Sequence, residues 1–305
     1  MTTTPGPFIH SGQTNRRIMV MVLIGLAPGL FAAVSKYGAS AGLIVVCALA
    51  GAWLAELVID RTRALDGSAL VTGAILALVL PPTAPWWLAL LGGAVAIGLA
   101  KYAFGGLGRN PFNPAALSYA LLMGLLPTYF FATTSTIDGV TTASPLAKES
   151  GILGPTIAEL LAGDTLGSLG QAEPYAVLAG GLLLIGLRVI DWRVPLTFLA
   201  AVAFLALVLP AGDRMAGHAP WLLGNPLMQL VGGGSLVVAF FMLTDPVTAP
   251  FSANGRVVFA IVAALGTMLT RFYTPYPDGA ALAVLLANAA VPMIDRVTLG
   301  IGPRA

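Results

Sequence analysis

Long apolar stretches of about 18–20 residues recur through most of this chain and constrain its fold more than any other feature. A bilayer core about 30 Å thick accepts only segments that satisfy their own backbone hydrogen bonds, so stretches of this length predict membrane-spanning α-helices. Charged residues are only 9% of the sequence, whereas a soluble domain has about 25%. The chain is therefore predicted to be an all-α polytopic membrane protein. Its net charge of +2 gives no indication of nucleic-acid binding.

Ten transmembrane helices are predicted, five on each side of a long polar loop. They lie at about 17–35, 39–59, 67–81, 86–104, 112–130, 175–188, 194–210, 226–244, 256–270 and 278–294. The predicted divisions are an N-terminal tail 1–16, a first five-helix unit 17–130, the loop 131–174, a second five-helix unit 175–296 and a tail 297–305.

The two five-helix units are predicted to be internal repeats, because two motifs recur at the same spacing. Residues 81–85 return as 246–250, and residues 113–117 return as 278–282, each 165 positions later. An odd number of helices per repeat makes the repeats inverted in the membrane, and such folds place their sites where Gly and Pro break helices between the repeats. The sequence predicts breaks at Thr72-Gly73 and at residues 232–234.

The distribution of Lys and Arg predicts how the helices are oriented. With the N-terminus inside, only Lys36, Lys148, Arg214 and Arg271, of 15 Lys and Arg residues, fall on the outer side. Basic residues concentrate on the cytoplasmic side of membrane proteins. Both termini are therefore expected in the cytoplasm of a bacterial cell, with the chain in the inner membrane and the polar loop on the periplasmic side.

The polar loop contains the strongest candidate site. Asp138-Gly139 predicts a turn, and Pro145 favours an extended backbone at Ser144, which holds the Ser144 hydroxyl away from the main chain. The segment is either an ordinary exposed loop rich in Ser and Thr, or a site at which Ser144 carries a covalently attached cofactor.

Six long motifs together resemble the D subunit of the Rnf electron-transport complex, whose family includes the B subunit of the sodium-translocating NADH:quinone reductase. The likeness extends over nearly the whole chain. The motifs are residues 66–73, 77–87, 105–115, 240–250, 276–279 and 285–295.

This resemblance implies a ten-helix component of an inner-membrane redox complex that passes electrons through flavins and couples this to movement of Na⁺ or H⁺. It also implies that an FMN is attached through its phosphate to a hydroxyl in the loop, by a flavin transferase in the periplasm. A second flavin, a non-covalent riboflavin, is implied as well. Read onto this chain, the attachment motif comprises Asp138, Thr141, Thr142, Ala143 and the acceptor Ser144.

The chain departs from the family pattern at two positions. The acceptor is Ser144 where the family usually has Thr, and Gln171 follows Gly170 where an acidic residue is expected. A serine hydroxyl forms the same phosphoester, so attachment at Ser144 remains the prediction.

Further candidates lie at predicted helix ends. Asn110 and Asn113 stand among prolines, where they either cap the next helix or hydrogen-bond a flavin ring. Asp66, Asp245 and Asp278 are candidates for ion coupling, because carboxylates in membrane proteins are often functional; the alternative is a role as caps or solvated turns. The sequence predicts no metal site.

Three functions remain open. The first is a flavin-carrying component of an Rnf-type complex, part of an ion-translocating oxidoreductase rather than an enzyme alone, with other membrane and peripheral subunits as partners. The second is a non-redox channel or secondary transporter built from inverted repeats that has lost the flavin. The third is a redox component that does not pump ions. A covalent flavin at Ser144 would exclude the second.

Overall fold

The computed structural model of the chain describes residues 14–131, 162–163, 167–209, 226–274 and 279–300. Helices dominate these residues, and no β-strand is found among them. Most of the predicted loop 131–174, including Ser144, lies outside the described residues, as does Asp278.

The first half of the described chain contains five helices of ten residues or more. They are α1 (Asn15–Tyr37), α2 (Ala39–Ile59), α3 (Ser68–Val79), α4 (Trp86–Val95) and α5 (Pro114–Leu125). Helix α4 continues through a π-helical turn, Ala96–Lys101, and a 3-10 turn, Tyr102–Phe104. A four-residue helix, Thr128–Phe131, follows α5.

The second half begins with a short buried 3-10 turn, Leu169–Gln171. The helices that follow are α6 (Pro174–Gly186), α7 (Arg193–Val208), α8 (Pro226–Val231), α9 (Ser235–Val237), α10 (Ala253–Tyr273) and α11 (Ala280–Thr298). Helix α9 is extended by a π-helical turn, Val238–Met242.

Five of these helices are long and apolar enough to cross a membrane: α1, α2, α4 with its extension to Phe104, α10 and α11. The shorter helices are also apolar, but α3, with 12 residues, is only about 18 Å long against a hydrocarbon core of about 30 Å. The structure thus supports a multi-pass helical membrane protein, while the number of ten transmembrane helices stays a prediction.

Of the two predicted helix breaks, the structure confirms one. Residues 232–234 interrupt the predicted span 226–244, and Gly233 and Gly234 adopt positive φ angles of 60° and 66°. The break predicted at Thr72-Gly73 is wrong, because α3 runs through both residues. Gly73 instead permits close packing on α2, since an added Cβ would lie 2.8 Å from the Ala48 carbonyl oxygen.

Two ends of the helix bundle can be distinguished. At the loop end, α5 leads towards the predicted flavin loop, and Lys36 near the end of α1 donates to the backbone oxygens of Ala162 and Ala172. At the opposite end, which we call the cavity end, the starts of α1, α3 and α5 surround a cavity.

Small residues allow the helices to approach closely, as is common in membranes. The contact between α1 and α6 is the clearest case: a Cβ added to Gly180 would overlap the carbonyl oxygen of Gly25. Gly186, at the end of the same helix α6, has no atom within 4 Å of the corresponding position.

We expect Gly180→Ala to destabilise the protein by about 1–3 kcal/mol, because α1 and α6 must separate to admit the methyl group. Thermal unfolding of the detergent-purified protein measures this as a lower melting temperature. Gly186→Ala is the matched control and should melt at or slightly above the temperature of the parent. Equal melting temperatures for the two variants would contradict the close packing.

Candidate functional site

A cavity lies at the cavity end of the bundle, between the two halves of the chain. The first half contributes the starts of α1, α3 and α5 and the end of α4, and the second half contributes the end of α6 and the turn after α9. Most of the lining is apolar. Its polar members are Ser68, Thr72, Lys101, Asn110, Asn113, Thr244 and Asp245.

Asn113 lines this cavity as the cap of α5. Its Oδ1 accepts hydrogen bonds from the backbone N–H groups of Ala115 and Ala116, both at 3.1 Å, and Pro114 occupies the first turn. Its Nδ2 donates to the carbonyl oxygen of Met242 at 3.4 Å. Of the two predicted roles, the structure therefore shows capping, and the side chain of Asn113 is largely committed to protein partners.

Asn110 is buried and lines the same cavity with part of its amide still available. Its Nδ2 donates to the carbonyl oxygen of Phe112 at 3.1 Å, while no hydrogen bond to its Oδ1 is found within the described residues. A carboxamide with one free polar atom at the wall of a mostly apolar cavity suits a planar ligand whose edge carries donors and acceptors.

Asn288, in the middle of α11, joins the two halves of the chain beside the cavity. It is 2% exposed; its Oδ1 accepts from the backbone N–H of Asn113 at 3.0 Å, and its Nδ2 donates to the carbonyl oxygen of Thr248 at 3.2 Å. Asn288 was not among the residues predicted from the sequence. The available signal was a carboxamide inside an apolar stretch, which in a membrane helix needs a partner.

The predicted acidic candidates mostly shape turns. Asp66 accepts from the Ser68 backbone N–H at 2.8 Å and from the Ser68 hydroxyl at 2.6 Å, so it orders the start of α3. Asp245 accepts from the Val247 backbone N–H at 3.0 Å and from the Thr248 hydroxyl at 3.4 Å, and it also lines the cavity. Burial raises the pKa of Asp245 above its ordinary value, although these hydrogen bonds oppose the shift.

A buried ion pair lies at the wall of the cavity. The Lys101 ammonium donates to Glu56 Oε1 and, at 2.7 Å, to the Ser68 hydroxyl oxygen. The Tyr102 hydroxyl donates to the same Glu56 oxygen at 3.3 Å, whereas Glu56 Oε2 has no hydrogen-bond partner within the described residues. From the sequence, Lys101 was predicted only to be a charge on the cytoplasmic side, and Glu56 was not among the predicted residues. The structure corrects this, because the two residues are 1% and 0% exposed.

A second buried cation, Arg271 at the end of α10, occupies a related position at the loop end. Its guanidinium donates to the carbonyl oxygens of Gln229, Gly232 and Gly233 at 2.7–3.0 Å, and to the Ser235 hydroxyl at 2.9 Å. The two halves share an arrangement at the starts of α3 and α9. In each half, a serine at the helix start follows a glycine with positive φ. The serine hydroxyl contacts a cation that lies near the end of another, longer helix. The pairs are Ser68 with Lys101 and Ser235 with Arg271, after Gly67 and Gly234.

The remaining predicted site residues lie outside the described residues: Ser144, Asp138, Thr141, Thr142 and Ala143 of the attachment motif, and Asp278. The structure therefore brings together Asn110, Asn113 and Asp245 around one cavity, and it adds Lys101 to their group. Asp66 does not line the cavity, but it accepts a hydrogen bond from Ser68, which does. Within the described residues no cluster of side chains suited to a metal ion is found.

The fold and this site define a multi-pass helical membrane protein with a mostly apolar cavity between its two halves. Residues 2–300 match the NQR2, RnfD, RnfE family, and the chain belongs to that family. The resemblance drawn from the sequence motifs is thus confirmed.

Three relatives cover nearly the whole chain. The D subunit of the ion-translocating oxidoreductase complex of Klebsiella pneumoniae is 36% identical, with 96% of this chain and 95% of that protein aligned. The protein of the same name from Sodalis glossinidius is 38% identical over the same shares. The D subunit of the Na(+)-translocating ferredoxin:NAD(+) oxidoreductase complex of Acetobacterium woodii is 35% identical over 98% of this chain and 93% of that protein.

The buried ion pair yields a prediction on stability. We expect Lys101→Met to cost about 3–5 kcal/mol, because it leaves the Glu56 carboxylate buried without its counter-charge. Thermal unfolding in detergent should show a large loss for Lys101→Met and recovery of most of it in the double variant Lys101→Met/Glu56→Leu.

The control is Arg256→Met at the partly exposed pair of Arg256 and Asp191, whose charged atoms lie 2.9 Å apart. Partly exposed pairs contribute at most about 1 kcal/mol, so this variant should melt close to the parent. Similar losses for Lys101→Met and Arg256→Met, or no recovery in the double variant, would show that the buried charges do not depend on one another.

Proposed function

We propose that the chain is the flavin-carrying membrane component of an Rnf-type electron-transport complex, in which electron transfer drives movement of Na⁺ or H⁺. The observation that carries the proposal is the similarity over nearly the full length to proteins named as D subunits of ion-translocating oxidoreductase complexes. The names of these relatives also support a place among other subunits of such a complex. Side chains alone do not carry electrons at useful potentials, so the proposal requires a cofactor.

The first cofactor is FMN, held by a phosphoester to the hydroxyl of Ser144 and attached by a periplasmic flavin transferase. The support is the order Asp138, Thr141, Thr142, Ala143, Ser144, which follows the attachment pattern of the family. The orientation derived from Lys and Arg is consistent with this, because it places the loop outside the cytoplasm.

The cavity is the proposed site of a second, non-covalent flavin such as riboflavin. When bound, a flavin accepts and releases electrons one or two at a time. The residues fit a flavin in two respects: Phe240, Phe241 and Val71 provide apolar walls for a ring, and Asn110 has an available amide atom for a polar edge. Asn113 would act indirectly, by fixing the start of α5, and Lys101 lies at the wall with its charge paired to Glu56.

Ion coupling would involve the interface between two inverted five-helix repeats. The related positions of Ser68 with Lys101 at one end and Ser235 with Arg271 at the other support such repeats, as does the packing of α4 on α2 and of α10 on α7. Asp245 at the cavity, together with Asp66 and Asp278, remains the candidate set for coupling. Differential stability of two arrangements of the repeats would link flavin charge to ion movement.

The proposed location is the bacterial inner membrane, with both termini and the cavity end facing the cytoplasm. Exposed arginines at the cavity end support this orientation; among them are Arg17, Arg63, Arg109, Arg188 and Arg296. At the loop end, Lys36 and Arg271 of the described residues instead bind backbone carbonyl oxygens.

The covalent flavin is tested by in-gel fluorescence of the denatured protein, co-expressed with a flavin transferase. We expect a fluorescent band for the parent and for Ser144→Thr, and none for Ser144→Ala, because only a hydroxyl can form the phosphoester. A dark parent with a bright Ser144→Thr variant would favour the non-redox transporter, which the broken helix and the cavity also fit.

The non-covalent flavin is tested in the Ser144→Ala background, where every remaining flavin is released by acid. We expect Asn110→Leu to weaken flavin retention about tenfold, as for one lost hydrogen bond of about 1.4 kcal/mol. Chromatography of the released flavin gives the flavin-to-protein ratio at several flavin concentrations. Asn254→Leu, at an exposed asparagine of α10, is the control and should retain flavin like its parent. Absence of flavin from the Ser144→Ala parent itself would exclude this second cofactor.

A further inference from the structure

Residues 168–172, which we call the wedge, lie at the loop end between the two halves of the bundle. The segment is the last part of the predicted loop 131–174 and leads through Glu173 into α6. All five residues are buried, although the segment forms only one short 3-10 turn. A buried irregular segment in a membrane protein must satisfy its polar groups through protein partners, so its contacts indicate its role.

The wedge is bonded to the end of α3. The backbone N–H of Leu169 donates to the carbonyl oxygen of Leu80 at 2.9 Å, just where α3 stops. Gly170 sits so tightly between α3 and α9 that an added Cβ would lie 3.0 Å from the Leu78 carbonyl oxygen and 2.5 Å from a methyl carbon of Val237. The wedge therefore fills the space between the end of α3 and the start of α9.

The same segment is bonded to the break between α8 and α9. Oε1 of Gln171 accepts a hydrogen bond from the backbone N–H of Gly233 at 3.1 Å, and Nε2 of Gln171 donates to the Ser168 hydroxyl oxygen at 3.0 Å. A Cβ on Gly167 would overlap the Gln171 amide, so the Gln171 side chain packs directly against the backbone of this glycine. The break thus receives its acceptor from the wedge, while Arg271 supplies donors to its carbonyl oxygens.

A third attachment comes from α1. The Lys36 ammonium donates to the carbonyl oxygen of Ala172 at 3.3 Å and to that of Ala162 at 3.0 Å. The wedge is consequently fixed to α1, to the end of α3 and to the break before α9. These are elements of both halves of the chain, whose other ends surround the cavity.

We infer that the wedge seals the loop end of the interface between α3 and α9, and that Gln171 is the positioning residue that holds the seal closed by accepting from Gly233. With the wedge in place, water and ions cannot pass from the loop end along the interface towards the cavity. The seal requires no bound flavin, and it is independent of the coupled ion and of which end faces the cytoplasm.

Cysteine labelling tests the seal directly. Cys47 is the only cysteine in the chain, so Cys47→Ala provides a cysteine-free background. Val237→Cys then places a thiol directly behind Gly170, at a fully buried position. The probe is a membrane-impermeant trimethylammonium methanethiosulfonate, added to vesicles that expose either the loop end or the cavity end.

We expect slow labelling from both ends when Gln171 is present. Gln171→Leu, which keeps the size but loses the acceptor, should speed labelling from the loop end at least tenfold without changing the rate from the cavity end. Gln171→Glu retains an acceptor for the Gly233 N–H and should stay slow. If Gln171→Leu does not yield folded protein, Lys36→Met replaces it, since that change releases the wedge from α1.

Three results would overturn the inference. One is an unchanged slow rate in the opened variant. Another is faster labelling from both ends alike, which would reflect general loosening of the bundle. The third is fast labelling in Gln171→Glu, which would separate the seal from the hydrogen bond to Gly233.

Discussion

The structure depends above all on how it satisfies backbone groups where a helix is interrupted inside an apolar environment. A peptide group without a partner in a bilayer core costs several kcal/mol, which is why spanning segments are usually unbroken helices. At residues 232–234 this chain breaks a helix and meets the cost with side chains from elsewhere. Arg271 on α10 donates to the carbonyl oxygens of Gly232 and Gly233, and Gln171 accepts from the Gly233 N–H.

The two buried cations that contact the starts of α3 and α9 are fixed in place rather than free to move. Lys101 is held by Glu56 and Ser68, and Arg271 by Gln229 and the residues of the break. Fixed buried charges of this kind rarely add net stability, but removing one partner leaves the other unpaired. Their value therefore lies in specifying where α3 and α9 begin, and these helices form part of the interface between the two halves. The cavity at one end of that interface and the wedge at the other follow from this placement.

Asn288 connects this framework to the proposed function. It hydrogen-bonds to the backbone N–H of Asn113 in the first half and to the Thr248 carbonyl oxygen in the second. A shift of one half relative to the other would therefore move Asn113 at the wall of the cavity. A flavin bound near Asn110 would lie against both halves, and a change in its charge would act on the same interface. Under the proposed function, this arrangement would link electron transfer to the conformation of the protein without a long chain of intermediate residues.

The sequence by itself determined the class of protein, the family, the positions of the long helices and the break at residues 232–234. These features are local: apolar length, Gly and Pro, and motif order do not depend on distant partners. It also brought forward Asn110, Asn113 and Asp245 from their motifs, although it left open whether Asn113 was a cap or a ligand. It failed at Thr72-Gly73, where the glycine serves packing on α2 rather than a break, and it missed the roles of Glu56, Lys101, Gln171, Arg271 and Asn288. Only the tertiary structure could decide these roles, because each residue gains its role from a partner more than 35 residues away in sequence. Examples are Lys101 with Glu56 and Gln171 with Gly233. No local pattern encodes which distant group will neutralise a buried charge or satisfy the polar groups of an interrupted backbone.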